Sequence, residues 1–181
     1  MRVITGTAKG RRLETLEGED VRPTTERIKE AIFSIIQFDL LERTFLDLFS
    51  GSGQMGIEAI SRGAKEAYMV DNSRKSVEII KKNVKSVKFE KEAKVFAMDF
   101  HSFLAMNTVD FDIAFVDPPY KTGLLQEALE LVAENMKDTG VIIAENPLDE
   151  QISAQYGDFL LDREYRYGKI KISTFRHKDF L

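Results

Sequence analysis

The sequence predicts an α/β fold, with helices on both faces of a mostly parallel seven-stranded sheet and a small N-terminal hairpin and helix in front of it. From residue 44 onward, five short apolar runs alternate with amphipathic segments, which is typical of a doubly wound sheet with right-handed crossovers. Residues 158–167 and 169–175 break this alternation. They read as two strands around Tyr167-Gly168-Lys169, which indicates a C-terminal antiparallel hairpin at the sheet edge.

The individual elements follow from local patterns. Val3 and Ile4, followed by Gly6 and Gly10, predict a short hairpin arm, and Pro23-Thr24-Thr25-Glu26 is a helix start signal. The expected parallel strands are 45–49, 67–70, 95–97, 113–116 and 141–144, and the helices between them are 55–61, 77–84, 101–106 and 124–132. We therefore expect one domain over 1–181, with an arm and helix in 1–43 and a catalytic core in 44–181.

Composition excludes several classes of function. The 181-residue chain has no cysteine, which rules out disulfides, thiolate metal sites and cysteine nucleophiles, and with them methylation of carbon 5 of cytosine by the usual route. Only two histidines are present, so we expect no metal site. No run of eighteen apolar residues and no signal-like N-terminus is visible, so we expect a cytoplasmic protein without a membrane partner, and we expect a monomer.

Charge is unevenly distributed along the chain. The net charge is −4, but residues 1–12 contain four basic residues and no acid, and residues 163–178 contain six basic residues and one acid. Local basic patches guide polyanions more than net charge does, so a nucleic-acid partner stays open. The lysines between residues 81 and 94 are interpreted as a solvated helix face and the loop after it.

Asp117-Pro118-Pro119-Tyr120 follows the apolar run 113–116 directly. Two prolines cannot continue a central strand, so Asp117 and Tyr120 are displayed at its carboxyl end, where ligands bind in open α/β sheets. A carboxylate, carbonyls without competing N–H groups and a flat ring suit a planar group that bears an exocyclic amine. A plain Pro-Pro turn with a solvated aspartate is the alternative.

A glycine-rich loop joins the first parallel strand to the next helix. Gly51, Gly53 and Gly56 have G-x-G-x-x-G spacing, which also fits a nicotinamide site, and Asp71 lies 20 residues beyond Gly51, where a ribose-binding acid belongs. The Asp47 carboxylate inside the strand would repel a pyrophosphate, but it would attract a ligand that carries an ammonium and a sulfonium. Asp99 ends the third strand, where it could meet an adenine amine. Together with Asp117-Pro118-Pro119-Tyr120, these residues predict an S-adenosylmethionine-dependent methyltransferase. Helix N-capping is the alternative role for both Asp71 and Asp99.

The chain resembles the RsmD-type 16S ribosomal RNA guanine-N2 methyltransferases, which are Rossmann-like class I enzymes. The resemblance covers residues 1 to about 175. It rests on Arg2-Val3-Ile4-x-Gly6 with Lys9-Gly10-Arg11-x-Leu13, on Arg22-Pro23-Thr24-Thr25-x-Arg27-x-Lys29-Glu30, on Leu46-Asp47-Leu48-Phe49-Ser50-Gly51-Ser52-Gly53, and on Asp117-Pro118-Pro119-Tyr120. It implies methylation of a guanine N2 amine in 16S ribosomal RNA or the assembling small subunit, at guanine 966 in the family.

The resemblance also implies which residues carry each role. It places Asp47, Gly51, Ser52 and Gly53 at the methionine end of the cofactor, Asp71 at the ribose and Asp99 at the adenine. It puts Arg22, Thr24, Thr25 and Arg27 in a loop near the cofactor and the target base. The expected cofactor-binding set is Asp47, Phe49, Gly51, Ser52, Gly53, Gly56, Asp71, Asn72, Asp99, Phe100 and Thr25. The expected catalytic set is Asp117, Pro118, Pro119 and Tyr120, and the expected RNA-binding set is Arg2, Lys9, Arg11, Arg12, Arg22 and Arg27.

Other functions remain open at this point. An amine methyltransferase acting on DNA adenine N6 or a protein glutamine would use the same tetrapeptide chemistry. A non-catalytic RNA-binding protein that retains the fold is a second alternative.

Overall fold

The computed structural model describes residues 1–16 and 25–181. Arg22 and Thr24, both predicted to lie near the cofactor, fall outside the described residues. Eight strands form one sheet in the order β3-β2-β1-β4-β5-β8-β7-β6. The strands are β1 (Thr44–Leu48), β2 (Glu66–Asp71), β3 (Ala93–Ala97), β4 (Phe111–Val116), β5 (Met136–Pro147), β6 (Gln155–Tyr156), β7 (Phe159–Tyr167) and β8 (Ile170–His177). The helices are α1 (Glu26–Ile35), α2 (Gln54–Ser61), α3 (Arg74–Val87), α4 (Phe100–Met106) and α5 (Leu124–Ala133), with a 3-10 turn at Lys178–Phe180.

The predicted fold class is confirmed, with two differences in the strands. β1 to β5 pair in parallel, and β8 and β7 add an antiparallel hairpin next to β5. The eighth strand, β6, has two residues, too few to produce a periodic pattern. β5 begins at Met136 rather than Val141, because Met136 pairs with Phe111 across an irregular register that the apolar run does not reveal.

The sheet separates two apolar layers. Helices α1, α2 and α3 and the N-terminal hairpin cover one face, and their core includes Ile32, Ile57 and Ile80. Helices α4 and α5 cover the other face with Phe103 and Leu129 among their core residues. The order in which strands are added to the sheet reverses between the parallel neighbours β1 and β4, and the crevice outside the carboxyl ends of two such strands is where open α/β sheets bind ligands.

The N-terminal hairpin is fixed to this scaffold. Arg2 and Arg12 form an antiparallel bridge, and the Gly10 amide donates to the Val3 carbonyl at 2.9 Å. Its turn lies against α2, where the Ala8 amide donates to Ser61 Oγ at 2.9 Å and a side chain at Gly6 would collide with the Ser61 carbonyl.

A fully buried ion pair anchors the same hairpin. Lys29 Nζ lies 3.2 Å from Glu58 Oε2 and donates to the Arg2 carbonyl at 2.7 Å, and neither charged side chain is exposed. The Glu58 carboxylate also accepts the amides of Ile4 and Thr5 and is paired with Arg62. Burial lowers the pKa of Lys29, and the neighbouring Glu58 opposes that effect. The hairpin is thus joined to α1 and α2 through groups that solvent does not reach.

Candidate active site

The glycine-rich loop 49–53 lies at the carboxyl end of β1 and leads into α2. Phe49, Gly51 and Gly53 all have positive φ, between 58° and 78°, and this path turns the chain sharply into the helix. Gly56 lies in the first turn of α2, where a Cβ would come within 2.7 Å of the Met69 side chain, so α2 packs closely on β2. A Cβ at Gly51 would meet nothing within 4 Å, because Gly51 borders an open cavity.

Asp47 lies beneath the loop rather than in the open cavity. Its Oδ2 accepts the Ser50 hydroxyl at 2.7 Å and the Gly56 amide at 3.0 Å, and only 1% of the residue is exposed. Burial raises the pKa of Asp47 to about 7, although the hydrogen bonds from Ser50 and Gly56 act to lower it. The carboxylate predicted at the methionine end of a cofactor therefore shapes the loop from below.

Asp71 holds the loop from the neighbouring strand. It ends β2, and its two oxygens accept the Gly51 amide at 2.8 Å and the Ser73 amide at 2.9 Å. The N-cap of α3 is Ser73, not Asp71. Asp71 keeps contact with the cavity that Gly51 borders, where its remaining lone pairs can accept further hydrogen bonds.

A cavity of about 660 Å³ brings the two sequence motifs together. Its lining includes Phe49, Gly51, Asp71 and Asn72 from the loop side and Asp117, Pro118, Pro119 and Tyr120 from the end of β4, together with Leu16, Ser73 and Ser76. Two motifs about 65 residues apart in the sequence thus line one cavity, at the point where the strand order of the sheet reverses.

A smaller cavity of about 240 Å³ adjoins it and shares Phe49, Asp71 and Asn72. Phe100 packs on Phe49 with ring centroids 5.2 Å apart, and Asp99 lies at the rim. Asp99 is the N-cap of α4, accepting the Ser102 amide and hydroxyl, and these hydrogen bonds lower the pKa of its exposed carboxyl. An apolar slot with an acceptor at its rim has the dimensions and chemistry to hold a flat, amine-bearing ring.

Tyr120 is oriented by a residue that the sequence pattern did not reveal. Its hydroxyl donates to Glu145 Oε1 at 2.9 Å, and its ring packs against the core on the α1 side of the sheet. Glu145 lies one residue beyond the predicted end of β5 and is 4% exposed. No motif or periodicity marks Glu145, because its pairing with Tyr120 joins residues that are 25 positions apart in the sequence.

The remaining predicted residues occupy separate places. Thr25 is the N-cap of α1, where its hydroxyl accepts the Ile28 amide at 3.3 Å. Arg27 is exposed on the first turn of α1, and Arg2 pairs with Glu26. Ser52 adjoins the N-terminus, with its hydroxyl 3.9 Å from Met1 Sδ. Lys9, Arg11 and Arg12 are exposed on the hairpin.

The part of the chain that the structure describes contains neither a cluster of potential metal ligands nor a helix that could span a membrane. Across 1–16 and 25–181, histidine, aspartate and glutamate side chains do not group in threes as metal ligands. None of the helices in those ranges is both long enough and apolar enough to cross a bilayer.

The strand order, the glycine-rich loop after β1 and the Asp-Pro-Pro-Tyr turn after β4 define the Rossmann-like class I methyltransferase fold. A family model described as "Conserved hypothetical protein 95" matches residues 1–176. The chain therefore belongs to this family, the RsmD family, and the resemblance found in the sequence is confirmed.

Similar proteins agree with that membership. The chain is 36% identical over 183 residues to Bacillus subtilis (strain 168) YlbH, which is described as a candidate rRNA methyltransferase; the match covers 98% of this chain and 100% of YlbH. It is 31% identical over 180 residues to "Ribosomal RNA small subunit methyltransferase D" of Escherichia coli (strain K12), covering 98% of this chain and 90% of that protein. The solved structure of Escherichia coli yhhF, described as a candidate methyltransferase, superimposes with a TM-score of 0.87 at 31% identity, covering 98% of this chain and 97% of that one.

Proposed function

We propose that this protein transfers a methyl group from S-adenosylmethionine to the exocyclic N2 amine of a guanine in 16S ribosomal RNA. The observation that carries the proposal is the shared cavity of about 660 Å³, in which Asp117 and Pro118 face the glycine-rich loop. The small-subunit ribosomal RNA named for the Escherichia coli relative supplies the substrate class.

The residues around the loop fit the cofactor. The open space in front of Gly51 is where a side chain would otherwise intrude, and the amides at the start of α2 offer donors to a carboxylate. Asp71 supplies acceptors for ribose hydroxyls, and the slot between Phe49 and Phe100, with Asp99 at its rim, suits adenine. When bound, S-adenosylmethionine supplies an electrophilic methyl group on a sulfonium sulfur.

The end of β4 makes the amine reactive. The N2 lone pair of guanine is delocalised into the ring, so the nitrogen must be drawn out of the ring plane before it can attack. The Asp117 carboxylate and the Pro118 carbonyl accept the two amine protons and direct the lone pair toward the methyl group. The Pro119 carbonyl is already engaged by the Thr122 hydroxyl at 2.7 Å. Methyl transfer would form a C–N bond as the C–S bond of the donor breaks, and these fixed acceptors would stabilise the positive charge that develops on nitrogen. One amine proton would then pass through the Asp117 carboxylate to solvent.

Tyr120 holds the base against these acceptors. A guanine inside a folded RNA must leave its stack to reach the cavity, and an aromatic platform replaces part of the lost stacking, at roughly 1–3 kcal/mol per base. The hydrogen bond from its hydroxyl to Glu145 holds the tip of the side chain in place. Phosphates of the same RNA are held by the exposed hairpin cations Arg2, Lys9, Arg11 and Arg12, with Arg22 and Arg27 assigned to the same role from the sequence.

The test is incubation with tritiated S-adenosylmethionine and small ribosomal subunits that lack the modification, followed by mapping of the labelled nucleotide. We expect label on N2 of one guanine. Asp117→Ala should reduce kcat at least a hundredfold while the cofactor dissociation constant changes little, because the carboxylate acts on the amine. Label on another base or on protein, or equal losses of turnover and cofactor affinity in Asp117→Ala, would contradict the assignment.

A further inference from the structure

We propose that the exposed face of α3 and the hairpin segment beside it form one docking surface for the phosphate backbone of the RNA substrate. The inference rests on the proposed function and adds a surface that the sequence pattern assigned to solvent. The cations of this α3 basic face are Arg74, Lys75, Lys81, Lys82 and Lys85, with Lys88 at the C-cap, and all six are exposed.

Charge is separated between the two faces of the sheet. Along α3 and its C-cap, the six cations stand against one acid, Glu78. On the opposite face, α5 and its C-cap contain Glu127, Glu130 and Glu134 and no basic residue. The protein therefore has one strongly basic face although its net charge is −4, and a polyanion is attracted to the α3 side.

Helix stability explains only part of this arrangement, because Glu78 is the one acid of α3 that can pair with Arg74 and Lys82 at a spacing of four residues. Arg74 and Lys75 occupy the first turn, where the helix macrodipole disfavours cations. Lys81 and Lys85 are four residues apart, and like charges at that spacing destabilise a helix. Lys85 and Lys88 gain from the dipole at the C-terminus, but the other four cations do not. A bound row of phosphates would relieve the repulsion along the whole face.

Asn83 joins this face to the hairpin. It is 2% exposed, its Oδ1 accepts the Glu14 amide at 2.8 Å, and its Nδ2 donates to the Glu14 and Ser52 carbonyls at 3.0 and 2.9 Å. Lys82 Nζ of the same face lies 3.8 Å from Glu14 Oε2. Arg12 is two residues from Glu14, so the C-terminal side of the hairpin lies next to the α3 basic face. The same side chain contacts the cofactor loop through Ser52, which fixes this surface relative to the methyl donor.

The surface begins at the cavity. Asn72 and Ser73 line the cavity of about 660 Å³, and Arg74 is the next residue along the chain. From there the 14 residues of α3 extend about 21 Å down the side of the sheet. An RNA segment whose guanine enters the cavity can therefore continue along α3 through several phosphates.

The test compares three forms of the full-length protein. The α3 variant is Lys81→Gln/Lys82→Gln/Lys85→Gln, which changes the net charge from −4 to −7. The charge-restored variant adds Glu127→Gln/Glu130→Gln/Glu134→Gln on α5, which returns the net charge to −4. Binding to small ribosomal subunits that lack the modification is measured against salt concentration, and S-adenosylmethionine affinity is measured by thermal shift.

We expect both variants to bind RNA roughly tenfold more weakly than the wild type near physiological salt, with unchanged cofactor affinity. The slope of log K against log salt should fall by about 2 to 3, since each phosphate contact contributes about 0.7 to 0.9. If the α3 variant keeps the wild-type slope, or if charge restoration recovers binding, the docking surface is wrong. Failure of the wild type itself to methylate small ribosomal subunits that lack the modification would instead overturn the proposed function.

Discussion

Replacing Lys29 with methionine removes one partner of the buried ion pair that anchors the N-terminal hairpin. Removing one member of such a pair costs about 3–5 kcal/mol, because the remaining charge is left without compensation. Glu58 would still accept two backbone amides and contact Arg62, so we expect the lower end, about 3 kcal/mol. Glu58→Gln leaves Lys29 with the Arg2 carbonyl and a neutral amide, and it should cost about 4–5 kcal/mol.

The assay is urea unfolding of the wild type, both single variants and Lys29→Met/Glu58→Gln, with free energies extrapolated to water. The double variant removes both charges and keeps an acceptor for the hairpin amides, so its loss should be well below the sum of the single losses. Lys82→Met is the matched control, because its exposed pair with Glu14 at 3.8 Å should contribute at most about 1 kcal/mol. A Lys29→Met loss no larger than this control, or additive losses in the double variant, would refute the reasoning.

Three further predictions follow from the site. Asp47 has a pKa of about 7 in the folded state against an ordinary 3.8, so the folded state binds more protons between those values and the protein loses stability as pH rises through this window. Chemical unfolding at pH 5 and pH 8 gives the loss in free energy of unfolding that Asp47→Asn causes relative to the wild type. That loss should be smaller at pH 8 than at pH 5 by roughly 1–3 kcal/mol, and the opposite sign would refute the burial argument. Tyr120→Phe keeps the aromatic platform and should lose less than about tenfold in kcat/KM on ribosomal subunits, whereas Tyr120→Ala should lose roughly 5- to 150-fold, and equal losses would exclude stacking. Gly51→Ala and Gly10→Ala place a methyl group in open space at positive φ, so each should cost about 1–2 kcal/mol in urea unfolding, but only Gly51→Ala should weaken the thermal shift with S-adenosylmethionine.

The sequence predicted the parallel core because the central strands β1 and β4 are buried along their whole length and most of the helices bury one face, which leaves strong patterns. Both motifs could be assigned to strand ends because glycine and proline mark where a strand stops. The strand order was not predicted, since no pattern in the sequence reports that β8 lies next to β5.

Those patterns do not report contacts between residues that are far apart in the sequence. The lysine at position 29 looks like a solvated residue of an amphipathic helix, and only the approach of Glu58 from α2 makes its burial possible. Glu145 and Asn83 are likewise ordinary polar residues in the sequence. Their roles come from Tyr120, which is 25 residues away, and from Glu14, which is 69 residues away. Asp47 was predicted to face the ligand, but periodicity cannot tell a carboxylate that lines a loop from one that supports it.

Helix α2 connects the hairpin to the glycine-rich loop, and every one of its eight residues is buried. Gly53 precedes its first turn and Ser61, which holds the hairpin, ends its last, so the two are separated by a rigid spacer of about 12 Å. One inserted residue would lengthen that spacer by about 1.5 Å and turn Ser61 through about 100°. Under the proposed function, an RNA held at the hairpin would meet the methyl donor at a set separation, and the length of α2 would help to determine which nucleotide is modified.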